Sequence, residues 1–171
     1  LEMQINGEES GIRVLEQASE RAPKALKVRS ELAMLYNRLG RPEKVLELTR
    51  DLDAAQLKQA PVLLELRGRA LMSAGDIASA QRSFEQLASA MPDSAPAQFL
   101  YAESLARAGD MDQAREQLTR AIELNAKYLP ARIGEIKMLV NNGEVAKAKE
   151  RLPALRAEFG GRPEVLGIEG W

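Results

Sequence analysis

The sequence predicts an all-α fold, an α–α superhelix of antiparallel helix pairs stacked one on the next, and three observations predict it. Gly75, Gly109 and Gly143 recur 34 residues apart, each followed by an acid and, five residues on, by Ala80, Ala114 or Ala148. Between these markers the apolar residues keep helical spacing, as in Leu63, Leu64, Leu66 and Leu71, then Ile77, Ala80, Phe84 and Leu87. Seven of the eight prolines fall where a helix is expected to begin or to have just ended. A fixed period of roughly 20–50 residues marks units that bury their apolar faces only against their neighbours.

Taken in order, residues 8–25 read as the second helix of a partial unit, its helical stretch running over 11–22 and Pro23 following its end. The first full unit is 26–60. Its turn glycine, Gly40, precedes Gly75 by 35 residues, so one residue is inserted, around 54–59. Pro42 starts that unit's second helix. The next unit is 61–94, opened by Pro61 and broken at Ala74-Gly75-Asp76. Glycine ends the helix because it adopts the left-handed conformation without steric cost, and Asp76 caps the following helix through its free amides. Unit 95–128 repeats this with Pro96, Gly109 and Asp110, where Asp110 and Gln113 form a capping-box pattern. Unit 129–162 begins at Pro130 and turns at Asn142-Gly143. Its second helix contains Pro153, which deletes a backbone hydrogen bond and is expected to kink or split the helix. Residues 163–171 read as the start of another first helix. The array is thus expected to be a fragment of a longer solenoid, with Trp171 at an open end.

Composition narrows the function. The 171 residues are 45% apolar and only 4% aromatic, so the core is built from aliphatic side chains. There is no cysteine and no histidine, which removes thiolate and imidazole chemistry and the commonest metal ligands. No cofactor and no metal is expected. The net charge of −1 gives no footprint for nucleic acid. No run approaches about 18 apolar residues, so no membrane insertion by this stretch is expected.

The repeating unit resembles the tetratricopeptide repeat (TPR). The pattern's first small residue falls on Ala33, Gly68, Ala102 and Ile136, and its second on Val45, Ala80, Ala114 and Ala148. Its large apolar residue falls on Thr49, Phe84, Leu118 and Leu152. The closing proline is present only as Pro92, and as Pro23 in the partial unit. The middle two units match well; the outer ones depart at Val45, Thr49, Ile136, Pro153 and Gly160. The ending, Leu152-Pro153-Ala154-Leu155 and then Gly160-Gly161-Arg162-Pro163, is also similar in composition to bacterial PEP-CTERM-system TPR lipoproteins. That narrower resemblance implies a role in envelope or exopolysaccharide export and a periplasmic or envelope location, with the cytoplasm left open.

The family resemblance implies where a partner would bind. First helices line the concave groove, and the groove-facing positions fall on Met34, Asn37, Arg38, Glu65, Arg69, Met72, Phe99, Glu103, Arg107, Lys137, Val140 and Asn141. The expected groove has Met72 and Phe99 as an apolar centre, flanked by Arg38, Arg69, Arg107 and Lys137 with Glu65 and Glu103 between them. Such a mixture of aromatic, methionine and arginine side chains suits an interface centre. The Lys/Asn carboxylate clamp of chaperone-binding relatives is not reproduced, because Ser30 and Met34 occupy its positions in the first unit.

Other candidates have structural readings. Met34, Met72, Met111 and Met138 belong by default to the aliphatic core. Asp51/Asp53, Glu8/Glu9 and Asp110/Asp112 read as solvated carboxylates at helix ends, Gly160-Gly161 as a turn, and Gly68 between Arg67 and Arg69 as a close-packing position. Without histidine or cysteine the usual nucleophilic triads cannot be built, and no phosphate loop is present. The expectation is a non-catalytic scaffold that binds a protein or peptide in its groove. The alternative is a homo-oligomer that stacks through open ends near Gly11 and Trp171.

Overall fold

The computed structural model describes residues 2–22 and 24–167. Pro23 and Trp171, invoked above, lie outside the described residues, as does the side chain of Glu8. The fold is of the expected all-α solenoid class, with eleven helices and no strand among the described residues. The chain forms two compact units, one up to Met91 and one from Pro92 onward.

The first unit contains α1 (Glu2–Arg21), α2 (Leu26–Arg38), α3 (Pro42–Thr49), α4 (Ala54–Gln59), α5 (Pro61–Ser73) and α6 (Ile77–Ala90). Helix α1 begins six residues before the expected start at residue 8. Helices α2 and α3 turn at Gly40, and α5 and α6 at Gly75, both glycines with positive φ (65° and 80°). At each turn the amide after the glycine reaches back five residues, Arg41 N to Tyr36 O at 2.9 Å and Asp76 N to Leu71 O at 3.0 Å. These are Schellman ends, which satisfy carbonyls that the finished helix leaves without an intrahelical donor. Gly68 lies against Phe84: a Cβ there would be 2.6 Å from Cε1 of the ring. The close-packing position read from the sequence therefore holds a phenyl ring directly against backbone.

The chain leaves α3 after eight residues and starts a separate short helix, at the place where the sequence suggests one inserted residue. Arg29 organises this break. It is 7% exposed, and its guanidinium donates to Leu48 O at 2.9 Å and to both carboxylate oxygens of Asp51 at 2.6 and 2.8 Å. The Asp51 carboxylate sits below its ordinary pKa because of that hydrogen bond. Thr49, where the repeat has a large apolar residue, is fully buried and donates to Val45 O at 2.9 Å. Asp53 and Gln56 then form a full capping box at the start of α4. Asp51 and Asp53, read as solvated carboxylates, are exposed but occupied in these structural roles. Tyr36, buried between α1 and α2, donates to Glu16 at 2.6 Å, and burial first and that bond second push its hydroxyl pKa up.

The second unit contains α7 (Ala95–Ala108), α8 (Met111–Leu124), α9 (Leu129–Asn141), α10 (Val145–Phe159) and α11 (Pro163–Leu166). Gly109 and Gly143 have φ of 90° and 77° and carry the same backward bonds, Asp110 N to Leu105 O at 3.0 Å and Glu144 N to Leu139 O at 2.8 Å. Ala102, Leu105, Ala114, Leu118, Ala121 and Ala131 form one buried cluster. A second contains Leu129, Ile136, Ala148 and Leu155, closed by Val165 from α11.

Three expectations need correction. Asp76 and Asp110 cap as anticipated, accepting from Ser79 N and Gln113 N, but Asp110 and Gln113 do not form a capping box. The Asp110 amide is already committed to Leu105 O, so the Gln113 side chain donates to the Asp110 carboxylate instead. Of the two outcomes expected at Pro153, splitting does not occur: α10 runs from Val145 to Phe159 with the proline inside, anchored on either side by buried Ala148 and Leu155. Of the methionines assigned to the core, Met138 is buried and Met111 packs half-buried against the same cluster, whereas Met34 is 42% exposed on α2.

Candidate interaction surface

The second unit carries a cleft of about 210 Å³ between α7 and α9, with Met111 and Leu118 of α8 at its base. Four of the groove residues named from the sequence meet there: Phe99, Glu103, Lys137 and Asn141. Helical spacing explains the meeting. Phe99 and Glu103 are four residues apart on α7, as Lys137 and Asn141 are on α9, so each pair occupies one face of its helix. The remaining walls are Ala102, Ala106, Pro130, Ile133, Gly134 and Met138, almost all apolar.

Phe99 is half-buried and fixed in place. Its ring meets Tyr128 edge to face, with centroids 5.8 Å apart and planes at 75°. On the other side it approaches Gly134, where an added Cβ would be 3.3 Å from Phe99 Cε2 and 3.2 Å from Leu118 Cδ1. Glycine in this interior position costs about 1 kcal/mol of helix propensity. Here it lets the ring and Leu118 close the base of the cleft while space remains above them.

Charge around the cleft is partly cancelled. Arg107 reaches back one turn to Glu103 at 3.3 Å, the internal pair expected from their i, i+4 spacing. Lys137 is exposed and has no ion pair or hydrogen bond among the described residues. Next to Asn141, one turn further on, it leaves the rim with one free cation and one neutral amide.

In the first unit the candidates are less concentrated. Glu65 and Arg69 pair on α5 at 2.9 Å, and Ser73 Oγ donates to Arg69 O. Glu65 also edges a broader depression of about 590 Å³ with Leu26, Pro61, Val62 and Met91. Met34, Asn37 and Arg38 are exposed on α2, and Met72 is half-buried on α5. Met72 and Phe99, expected together as an apolar centre, belong to different units. Val140 on α9 packs against the outer cluster around Ile136.

Repeated helix pairs, turned by left-handed glycines and carrying an apolar cleft between successive first helices, define a helical-repeat protein. The tetratricopeptide repeat profile matches residues 71–127 and 105–170, more than half of the chain, and the chain belongs to that family. A crystal structure of MamA is similar at a TM-score of 0.80 and 13% identity, covering 91% of each chain. MamA from Desulfovibrio magneticus RS-1 is similar at 0.78 and 15% identity, covering 94% of this chain and 90% of that one. YrrB, described as a TPR protein with an unusual peptide-binding site, is similar at 0.69 and 19% identity, covering 88% and 77%. At such identities these likenesses show the fold alone. No curated protein matches the chain in sequence.

Proposed function

We propose that this protein is a non-catalytic interaction scaffold that holds an extended peptide or a partner's helix against the first helices of its repeats. The observation that carries the reading is the α7–α9 cleft, an apolar recess with a polar rim that opens at the surface. An exposed recess of this kind gains free energy when a partner's apolar side chain leaves water to fill it, at about 25 cal/mol per Å² of area removed. The peptide-binding site of YrrB, whose fold is similar, supports the same reading by analogy. The narrower likeness to bacterial envelope-export proteins extends it to that setting, and a lipobox cysteine encoded upstream would support the extension.

The electrostatic part of the sequence reading becomes narrower. Arg69 and Arg107 are each engaged by a glutamate on their own helix, so at the α7–α9 cleft contact with an acidic partner falls to Lys137. Selecting a random peptide-display library on the purified chain tests the proposal. Enriched peptides should lose about tenfold or more in affinity when Phe99→Ala removes one wall of the cleft. They should also weaken in the exposed pair Lys137→Ala/Asn141→Ala, whose melting temperature stays that of the parent. A library that yields no binder, or binders indifferent to both variants, would refute the assignment.

A further inference from the structure

We infer that the α7–α9 cleft selects an acidic segment carrying a single apolar anchor side chain. Gly134 sets the room for that anchor, and Lys137 recognises the neighbouring carboxylate. This rests on the groove-binding reading above and adds the chemistry that the groove accepts.

Size is the first argument. The cleft measures about 210 Å³. An apolar cavity of about 150 Å³ holds one benzene, so this one has room for one side chain of that size. The walls facing the anchor are hydrocarbon and thioether, from Phe99, Met111, Ile133 and Met138. Such walls offer no partner to a polar tip, and burying one there without a hydrogen bond is costly. The anchor is therefore apolar. Its room depends on residue 134 lacking a side chain, since a Cβ there already comes within 3.3 Å of both Leu118 and Phe99.

Charge is the second argument. Arg107 neutralises Glu103 on the α7 side, which leaves Lys137 on the α9 side without a partner among the described residues. An ammonium beside an apolar recess favours a carboxylate next to the anchor and disfavours a lysine there. The chain's own net charge of −1 would disfavour an acidic segment in general. The preference must therefore come from this position, and it will weaken with salt.

Fluorescence anisotropy on the whole chain tests this with four labelled peptides of equal length. One carries a central leucine flanked by glutamates, the second has glutamines in place of those glutamates, and the third has lysines. The fourth is the acidic peptide with leucine changed to alanine. The acidic leucine peptide should bind most tightly. It should exceed the glutamine peptide by about threefold, the size of one exposed ion pair, and the alanine peptide by about tenfold. Lys137→Glu, a change at an exposed position, should reverse the order of the acidic and lysine peptides, and Gly134→Val should weaken every leucine peptide. Equal binding of the three leucine peptides, or an order unchanged in Lys137→Glu, would overturn this inference and leave the groove reading standing. No binding by any of the four would overturn both.

Discussion

Two glycines inside helices show how far one missing side chain reaches. Gly68 lets the Phe84 ring, itself 2% exposed, lie on the backbone of α5. Gly68→Ala should therefore lose about 1–2 kcal/mol, because the overpacking cost of about 1–3 exceeds the helix propensity that alanine returns. The melting temperature should fall by several degrees. Phe84→Leu in the same chain should recover part of the loss; a Gly68→Ala protein as stable as its parent would show that the ring has somewhere else to go. The sequence placed Gly68 at a packing position because the repeat pattern requires a small residue there. It carried no such signal for Gly134, which lies outside the pattern's small positions and whose use depends on Phe99 and Leu118, both distant along the chain. Nor did it reveal Arg29, since an arginine on an amphipathic helix reads as surface until Leu48 and Asp51 are seen around it.

At the scale of the element, boundaries were legible wherever local chemistry sets them. The turn glycines, the Asp76 and Asp110 caps and the prolines opening α3, α5, α7, α9 and α11 each act within one turn of chain. The break between α3 and α4 was not legible, because the end of α3 is held by Arg29 from a different helix. That contact makes a pH prediction. Asp51 has a lowered pKa in the folded protein, so its contribution is complete above the unfolded value of about 3.9 and is lost as pH falls through the folded one. The melting temperature of the parent should exceed that of Asp51→Asn above about pH 5, and the gap should close toward about pH 2. The effect will be modest, since the carboxylate is 66% exposed. A gap that persists at the acid end would assign the effect to something other than ionisation.

For the whole molecule, the period of 34 residues carries the architecture, because a repeat writes it several times over. The partner is written nowhere in the same way. The groove positions came from the family pattern, and only side-chain packing distinguishes Lys137, left free, from Arg69 and Arg107, already engaged. Energetics of such arrays are set mostly by neighbouring helix pairs. The part from Pro92 onward has two buried clusters of its own. Expressed alone, residues 92–171 should give a helical circular dichroism spectrum and a single cooperative melt. A coil-like spectrum would mean that those clusters are insufficient by themselves.

The four turn glycines, Gly40, Gly75, Gly109 and Gly143, share one further property: a Cβ placed on any of them would meet nothing within 4 Å. The only objection to a larger residue there is torsional, and it applies to one chirality. A D-alanine introduced by chemical synthesis would meet no such torsional objection, and would stiffen the unfolded chain as L-alanine does elsewhere. The torsion of these corners is thus one that favours the mirror-image building block over the natural one.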